Sequence, residues 1–254
     1  MSIHQTLFAT YDNPMIVCDS ADFDGTNDYM TRGAGLTGAA DSKLGIASLW
    51  HRIDGGDGAI RSLLSAATTL AGADFRFELS ISAANKFQVA GRNSAGTLIL
   101  NLLSSAHTAG ASWLHILMSW DMGNAASHLY VNDVSDKTSS TFTDDTIDYT
   151  WADCAVGARP DGSVKLDGCL AELYLAPGQY LDFSNVYNRR KFISASGKPV
   201  HLGTTGALPT GTAPLVYQHL DDAEAVADFA TNRGTGGDFT ITGTLATGSD
   251  SPSD

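Results

Sequence analysis

Apolar and polar residues alternate along much of this chain. In Phe75-Arg76-Phe77-Glu78-Leu79-Ser80-Ile81 the apolar positions share one face and the polar ones the other. That period of two predicts a half-buried strand. Leu98, Leu100 and Leu102 repeat it, so 97–102 reads as a second strand. Leu44–Ile53 predicts a long strand carrying Trp50. WLHILMSW (113–120) is apolar on both faces, which predicts a central strand covered on both sides. HLYVND (128–133) follows it after the polar DMGNAAS, and the two runs predict a hairpin.

Helical periodicity is scarce. The best case is 184–193, with Ser184 placed to cap its start and Val186 and Tyr187 to face inward. Arg189, Arg190 and Lys191 then fall at the end where the helix dipole favours cations. Turn signals recur at 54–58 (DGGDG), 93–96 (NSAG), 121–124 (DMGN) and 159–162 (RPDG). Short strands with regular turns predict a sandwich or jelly roll. The stretch AVGARPDGSVKLDGCLAELYL (155–175) reads as a hairpin about its Pro-Asp-Gly turn.

Residues 195–214 form a Gly/Pro/Thr-rich loop; strand character returns at 215–221 and 238–245, and ATGSDSPSD reads as a polar tail. Phe229, Phe239 and Ile241 are apolar residues that a solvated tail does not need. The expected organisation is a sandwich over 1–194 and an extension over 195–254 that packs back on it.

Composition narrows the function classes. At 254 residues, 43% hydrophobic and 17% charged, the chain can bury a core without help from a metal or disulfide. A net charge of −13 argues against nucleic acid and anionic membrane as partners. No apolar run reaches the ~18 residues of a membrane-spanning helix, so no membrane insertion is expected. The start, MSIHQT, lacks the basic and apolar regions of a secretory signal, which implies synthesis in a reducing cytosol. Cys18, Cys154 and Cys169 cannot all pair within the chain. Cys154 and Cys169 sit at roughly opposed positions on either side of the Pro-Asp-Gly turn, so a bridge between them stays open, with free thiols preferred.

Catalytic signatures are missing. The chain has no Gly-x-Ser-x-Gly elbow, His-Glu-x-x-His pair, phosphate loop or Cys-x-x-Cys. His51, His115 and His128 lie on predicted strands and read as core or face residues rather than bases. Trp50, Trp113 and Trp120 sit in strand patterns and read as packing residues. Trp151, in the irregular DYTWADC, is expected to be the most exposed tryptophan, and so a candidate for stacking on a sugar.

Four segments then acquire a common meaning. FDGTNDYM (23–30), ASLWHRIDGGDGAIRSLLS (47–65), WLHILMSWDMGNAASHLYVNDV (113–134) and VGARPDGSVKLDGCLAELYL (156–175) resemble, in order, motifs of laminin G-like, concanavalin A-like domains. The resemblance covers about residues 20–193. It implies an all-β antiparallel jelly-roll sandwich, here with one short helix and a C-terminal extension. DFATNRGTGGDFTITGTL (228–245) resembles the C-terminal extension of laminin G-like proteins of tailed bacteriophages. That implies a virion protein folded in the host cytoplasm, with other virion proteins and copies of itself as partners and a host-surface glycan as ligand.

Related sandwiches include glucanases, which carry Glu-x-Asp-x-x-Glu on one strand, and alginate lyases, with an Arg, Gln-x-His, Tyr pattern. Neither pattern occurs here. The expected function is therefore a non-enzymatic capsid or tail component. The alternatives are a glycan hydrolase or lyase with an unrecognised site, and a free lectin-like protein. No catalytic or metal residue is assigned, and the ligand-binding residues are left open. No cofactor is expected; calcium is the one candidate. Asp22, Asp24, Asp54 and Asp57 offer hard oxygen ligands, but tight turns use the same residues. Many relatives carry Ile-Asp-Glu where this chain has Leu170-Ala171-Glu172, so one calcium ligand is missing and the fold is expected not to need the ion.

Overall fold

The computed structural model describes residues 15–67, 75–222 and 224–254, so the start read for a leader lies outside the described residues. In chain order the strands are β1 (Ala21–Asp24), β2 (Tyr29–Arg32), β3 (Leu44–Ile53), β4 (Arg61–Ala67), β5 (Phe75–Ile81), β6 (Lys86–Arg92), β7 (Leu98–Ala106) and β8 (Leu114–Asp121). They continue as β9 (Ala126–Val131), β10 (Val134–Ser135), β11 (Ser139–Phe142), β12 (Asp153–Val156), β13 (Asp167–Pro177), β14 (Val216–Gln218), β15 (Thr240–Thr242) and β16 (Ala246–Thr247). One sheet runs β10-β9-β8-β3-β13-β1-β16, with β14 also paired to β13; the other runs β11-β7-β6-β5-β4-β12-β2-β15. The fold is an all-β antiparallel two-sheet sandwich, as the alternation predicts.

The inner faces of the sheets meet in one core that includes Phe23, Leu49, Phe77, Leu79, Leu102, Met118 and Trp120. A second cluster covers the outer face of the first sheet: Ile46, Leu117 and Tyr174 pack with Phe183, Phe192, Val200 and Tyr217. This explains the apolar character of both faces of β8, which lies between β3 and β9 as expected. The β8–β9 hairpin is present, with Ile116 opposite Val131.

Four expectations are corrected. Residues 155–175 are not a hairpin: β12 sits between β4 and β2 in one sheet, and β13 between β3 and β1 in the other. The Pro-Asp-Gly turn does form, closed by Gly162 N–H donating to Arg159 O at 2.8 Å. The chain then crosses between sheets, because Val156 and Leu170 each bury into the core from opposite sides. Cys154 and Cys169 are therefore on different sheets, and all three thiols are free and buried.

Trp151 is 3% exposed. It stacks on Phe77 at 5.8 Å, and its Nε1 donates to Asp148 O at 2.6 Å. The irregular backbone around it is a plug for the core, because the indole N–H finds a local carbonyl. The helix α1 spans only Val186–Arg189 and is capped by Asn185, whose Oδ1 accepts from Tyr187 N, rather than by Ser184. Tyr187 is 70% exposed and Val186 is also exposed. One helical turn is too short to present an apolar stripe, and the flanking Phe183 and Phe192 supply the burial.

The ATGSDSPSD tail is tied down. β16 pairs with β1, Ser251 and Pro252 are buried, and Ser253 Oγ accepts from Cys18 N and donates to Cys18 O. Residues 195–254 also supply β14 to β13 and β15 to β2, and so add strands to both sheets.

Candidate functional site

The outer face of the first sheet carries a pocket of about 410 Å³. Its floor is Trp50, at 3% exposure on β3. Register places Trp50 opposite His115 of β8, and the two rings lie 4.8 Å apart. Trp113, just before β8, stands half-buried at the rim beside Ser112. Its Nε1 donates to Asp250 Oδ1 at 3.2 Å, and the Arg52 guanidinium lies 6.0 Å from the ring.

Asn132 enters from the turn between β9 and β10. Asn132 and Asp133 both have positive φ, 49° and 64°, the geometry of a two-residue type I′ turn. Asn132 Oδ1 accepts from His115 N at 2.8 Å and its N–H donates to His115 O at 2.9 Å. The amide is thus fixed on β8, and among the described residues no partner takes its NH₂. The next residue, Asp133, accepts from Arg189 at 2.5 Å and Arg190 at 2.7 Å, so the same turn anchors α1.

The opposite wall comes from Ile193 and the extension. Ile193 flanks a turn closed by Ser194 N to Lys198 O, which carries Gly197 and Lys198, and Ser251, Pro252 and Asp254 lie on another. Lys198 Nζ joins the two turns by donating to Asp254 O. The pocket therefore combines indole faces, an open amide, hydroxyls, an ammonium held on a main-chain carbonyl and the Asp254 carboxylate. Among the expected aromatics it takes in Trp50 and Trp113; Trp120 stays in the core with its Nε1 on Tyr149 OH at 3.1 Å. Sequence reasoning missed Ser112, Asn132, Lys198, Ser251 and Asp254, though the Asn-Asp pair between two strand runs was a signal for the turn.

The three histidines expected on strands, His51, His115 and His128, are not poised as bases. Burial pushes His115 down to about 3, and its Nε2 lies 2.9 Å from Ser48 Oγ. Burial pushes His51 down to about 4 against the bond from Nδ1 to Cys169 O. His128 is half-buried between Tyr180 OH and Asp182. Ser105, His107 and Asp136 cluster, but Ser105 Oγ and Asp136 Oδ2 both approach the same nitrogen, Nε2, at 3.4 and 2.8 Å. A proton relay needs the two ring nitrogens to face different partners.

Of the four candidate calcium ligands, the structure brings together Asp22 and Asp54, with the Cys169 thiol; their ligand atoms lie within 4.8 Å of one another. The positive charge there is Arg52, which holds Asp54 at 2.8 and 2.9 Å, reaches Cys169 Sγ at 3.2 Å and pairs with Asp250. Asp24 caps its own turn, accepting from Thr26, Asn27 and Asp28. Asp57 accepts from Ala109 N and Arg61. Ala171 packs in an apolar cluster with Cys18, Trp50 and Ile193. Burial raises the pKa of the Cys169 thiol, with Asp22 adding to the effect, so it is a poor thiolate donor for a metal.

A second polar cluster is buried beneath the extension. Glu172 accepts from Tyr217 OH at 2.9 Å and contacts His219 Nδ1, while His219 Nε2 lies 2.8 Å from Asp221 Oδ1. Burial opposes the charge on His219, but Glu172 and Asp221 outweigh it and its pKa is raised.

Comparison with known proteins follows the same lines. Residues 24–178 match the family Laminin_G_3, described as the Concanavalin A-like lectin/glucanases superfamily. No curated protein sequence matches. Among solved structures, the chain is similar to a provisionally assigned carbohydrate binding protein from Bacteroides ovatus ATCC 8483, with TM-score 0.61 and 13% identity. That alignment covers 92% of this chain and 60% of the other, so the chain spans about three fifths of that protein. It is also similar to the native heptameric SAP-like pentraxin from Limulus polyphemus, with TM-score 0.54, 11% identity and coverage of 91% and 94%. At these identities the likeness is one of fold. The family match covers more than half of the sequence and falls on the two-sheet sandwich; the chain belongs to the concanavalin A-like lectin/glucanase superfamily.

Proposed function

We propose that this protein is a non-catalytic glycan-binding domain whose ligand sits between Trp113, Trp50 and Asn132. The observation that carries the reading is the half-buried Trp113 indole beside the open amide of Asn132 in one pocket. Sugars present an apolar C–H face and a polar edge, and sites for them pair an aromatic plate with a few fixed polar groups. The superfamily spans lectins and glucanases by description, so both binding and hydrolysis are open to the fold. The lining favours binding. Glycoside hydrolysis needs two carboxyl groups about 5–9.5 Å apart. Among the described residues lining the pocket, Asp254 is the one carboxylate, and Lys198 is bonded to its main chain. The carboxylate of Glu172, on β13, is 3% exposed and taken by Tyr217 and His219.

The test is titration of the whole protein against a glycan array, repeated with Trp113→Ala. The variant is expected to lose at least tenfold in affinity while melting within a few degrees of wild type. An unchanged affinity, or product release that vanishes on substitution of one carboxylate, overturns the reading.

We place this domain on a tailed-phage particle, with copies of itself and other virion proteins as neighbours. The support is the resemblance of residues 228–245 to the extensions of phage laminin G-like proteins. Mass spectrometry of purified particles is expected to find it at a fixed copy number. Its absence from them leaves a free lectin-like protein.

A further inference from the structure

Beside the Trp113 pocket lies a second depression of about 220 Å³, lined by Ile53, His107, Thr108, Gly110, Ser112 and Leu114. Ser112 lines both. Trp113 and Leu114 follow it in the chain, and strand alternation sends them to opposite sides of the first sheet. Trp113 lines the outer pocket; Leu114 packs against the inner core and lines the depression at the sandwich rim. Ser112 is thus the shoulder where the outer face turns into the rim.

The loop that carries this shoulder is held in place. His107 N donates to Asn85 O at 2.7 Å, Ala109 N to Asp57 Oδ2 at 3.1 Å and Gly110 N to Ile53 O at 2.9 Å. These bonds fix the backbone and leave its exposed hydroxyls unused: among the described residues, no partner takes Thr108 Oγ1 or Ser112 Oγ. Together with the Asn132 amide they set out uncommitted polar groups across both depressions. Apolar surface flanks the series, from Trp50 and Trp113 on one side and Ile53 and Leu114 on the other. The ionisable side chains in the two linings are already engaged: Lys198 donates to the main-chain O of Asp254, the Asp254 carboxylate accepts from Ser251 N, and His107 lies 2.8 Å from Asp136.

We infer that the two depressions act as one site for a neutral, extended oligosaccharide that crosses the Ser112 shoulder. This inference rests on the glycan-binding reading of the Trp113 pocket. A single sugar ring fills the outer pocket and uses Trp113 and Asn132. The following rings lie over Ser112 and Thr108, where hydroxyl-to-hydroxyl bonds replace water without stranding a buried charge. Affinity then grows with chain length until the second depression is filled.

The experiment uses the whole protein and an array of neutral and anionic glycans one to six sugars long. Wild type is expected to bind neutral glycans, gaining at least tenfold from the monosaccharide to the trisaccharide or longer. Thr108→Trp, which fills the second depression at an exposed position, is expected to lose that gain. Thr108→Ala combined with Ser112→Ala is expected to cut the gain several-fold without adding bulk. Trp113→Ala is expected to weaken every length together. Trp113-dependent binding that does not rise with length, or that keeps its length gain in both Thr108 variants, overturns this inference and leaves the pocket reading standing. A preference for anionic glycans also overturns it. Failure of every glycan to bind overturns both.

Discussion

Gly45 lies opposite Trp120 across the β3–β8 pair, and the fully buried indole folds over it. A Cβ at Gly45 would overlap Trp120 Cζ2 and Cε2. The glycine is required by this close approach rather than by its own backbone angles. Gly45→Ala is expected to destabilise the protein by about 1–3 kcal/mol, read as a melting point lower by several degrees. Charge obeys a similar constraint. Glu78 on β5 is 3% exposed, and Arg159 holds it with two bonds of 2.8 and 3.1 Å. Removing the arginine leaves a buried carboxylate unpaired. Arg159→Ala is therefore expected to cost about 3–5 kcal/mol in denaturant melts, and Arg159→Ala with Glu78→Gln less than that. Equal losses in the single and double variants would show that the ion pair is not what Arg159 contributes.

At the scale of elements, β13 is the strand on which the extension docks. It breaks register between Ala171 and Tyr174, and Glu172 within that bulge has a φ of 51°. The bulge turns the carboxylate to Tyr217 and His219 of the extension, and Arg233 closes the network on Asp221 and Glu224. The pH dependence follows from the histidines. The raised pKa of His219 makes its contribution full below about 6.5, the unfolded value, and it is lost as pH rises through the folded one. His51 and His115 act in the opposite sense. Both are held neutral by burial, so the unfolded chain binds more protons between about 6.5 and their folded values of about 4 and about 3. Stability therefore falls on acidification through that window, by on the order of a few kcal/mol for each. Melting points across pH 3–9 are expected to peak near pH 6–7. His219→Gln is expected to flatten the alkaline side and leave the acid side; an unchanged alkaline limb would show that His219 does not titrate with folding.

For the whole molecule, the extension is structural. β14, β15 and β16 pair with β13, β2 and β1, and Val216, Leu220 and Phe229 lie in the main core. A chain ending after Ala195 is expected not to fold, giving aggregated protein or a circular-dichroism spectrum without a cooperative melt. A folded truncation would show that the sandwich is complete without those strands. Calcium is expected to leave the melting point unchanged, because Arg52 already supplies the positive charge between Asp54 and Cys169. Melts with chelator and with added calcium check this, and a rise of many degrees with the ion would show that Arg52 gives way to it.

What the sequence determined by itself was whatever depends on neighbours along the chain. Period-two runs placed β3 and β5 at their full lengths, because alternation across a strand is a local property. The double-faced apolar run at 113–120 marked a central strand for the same reason. Tertiary structure decided which strands share a sheet, since pairing depends on partners far apart in sequence. It separated the two halves of 155–175, buried Trp151 and Cys154, and drew the Ser-rich tail onto Cys18 and Arg52. The candidate site was only partly legible. Trp50 and Trp113 were visible as residue types, but Lys198 and Asp254 reach them from turns 85 and 141 residues beyond Trp113, and Asn132 across a hairpin. Local patterning sets the face on which a side chain stands, and only the packing of distant segments sets what it meets there.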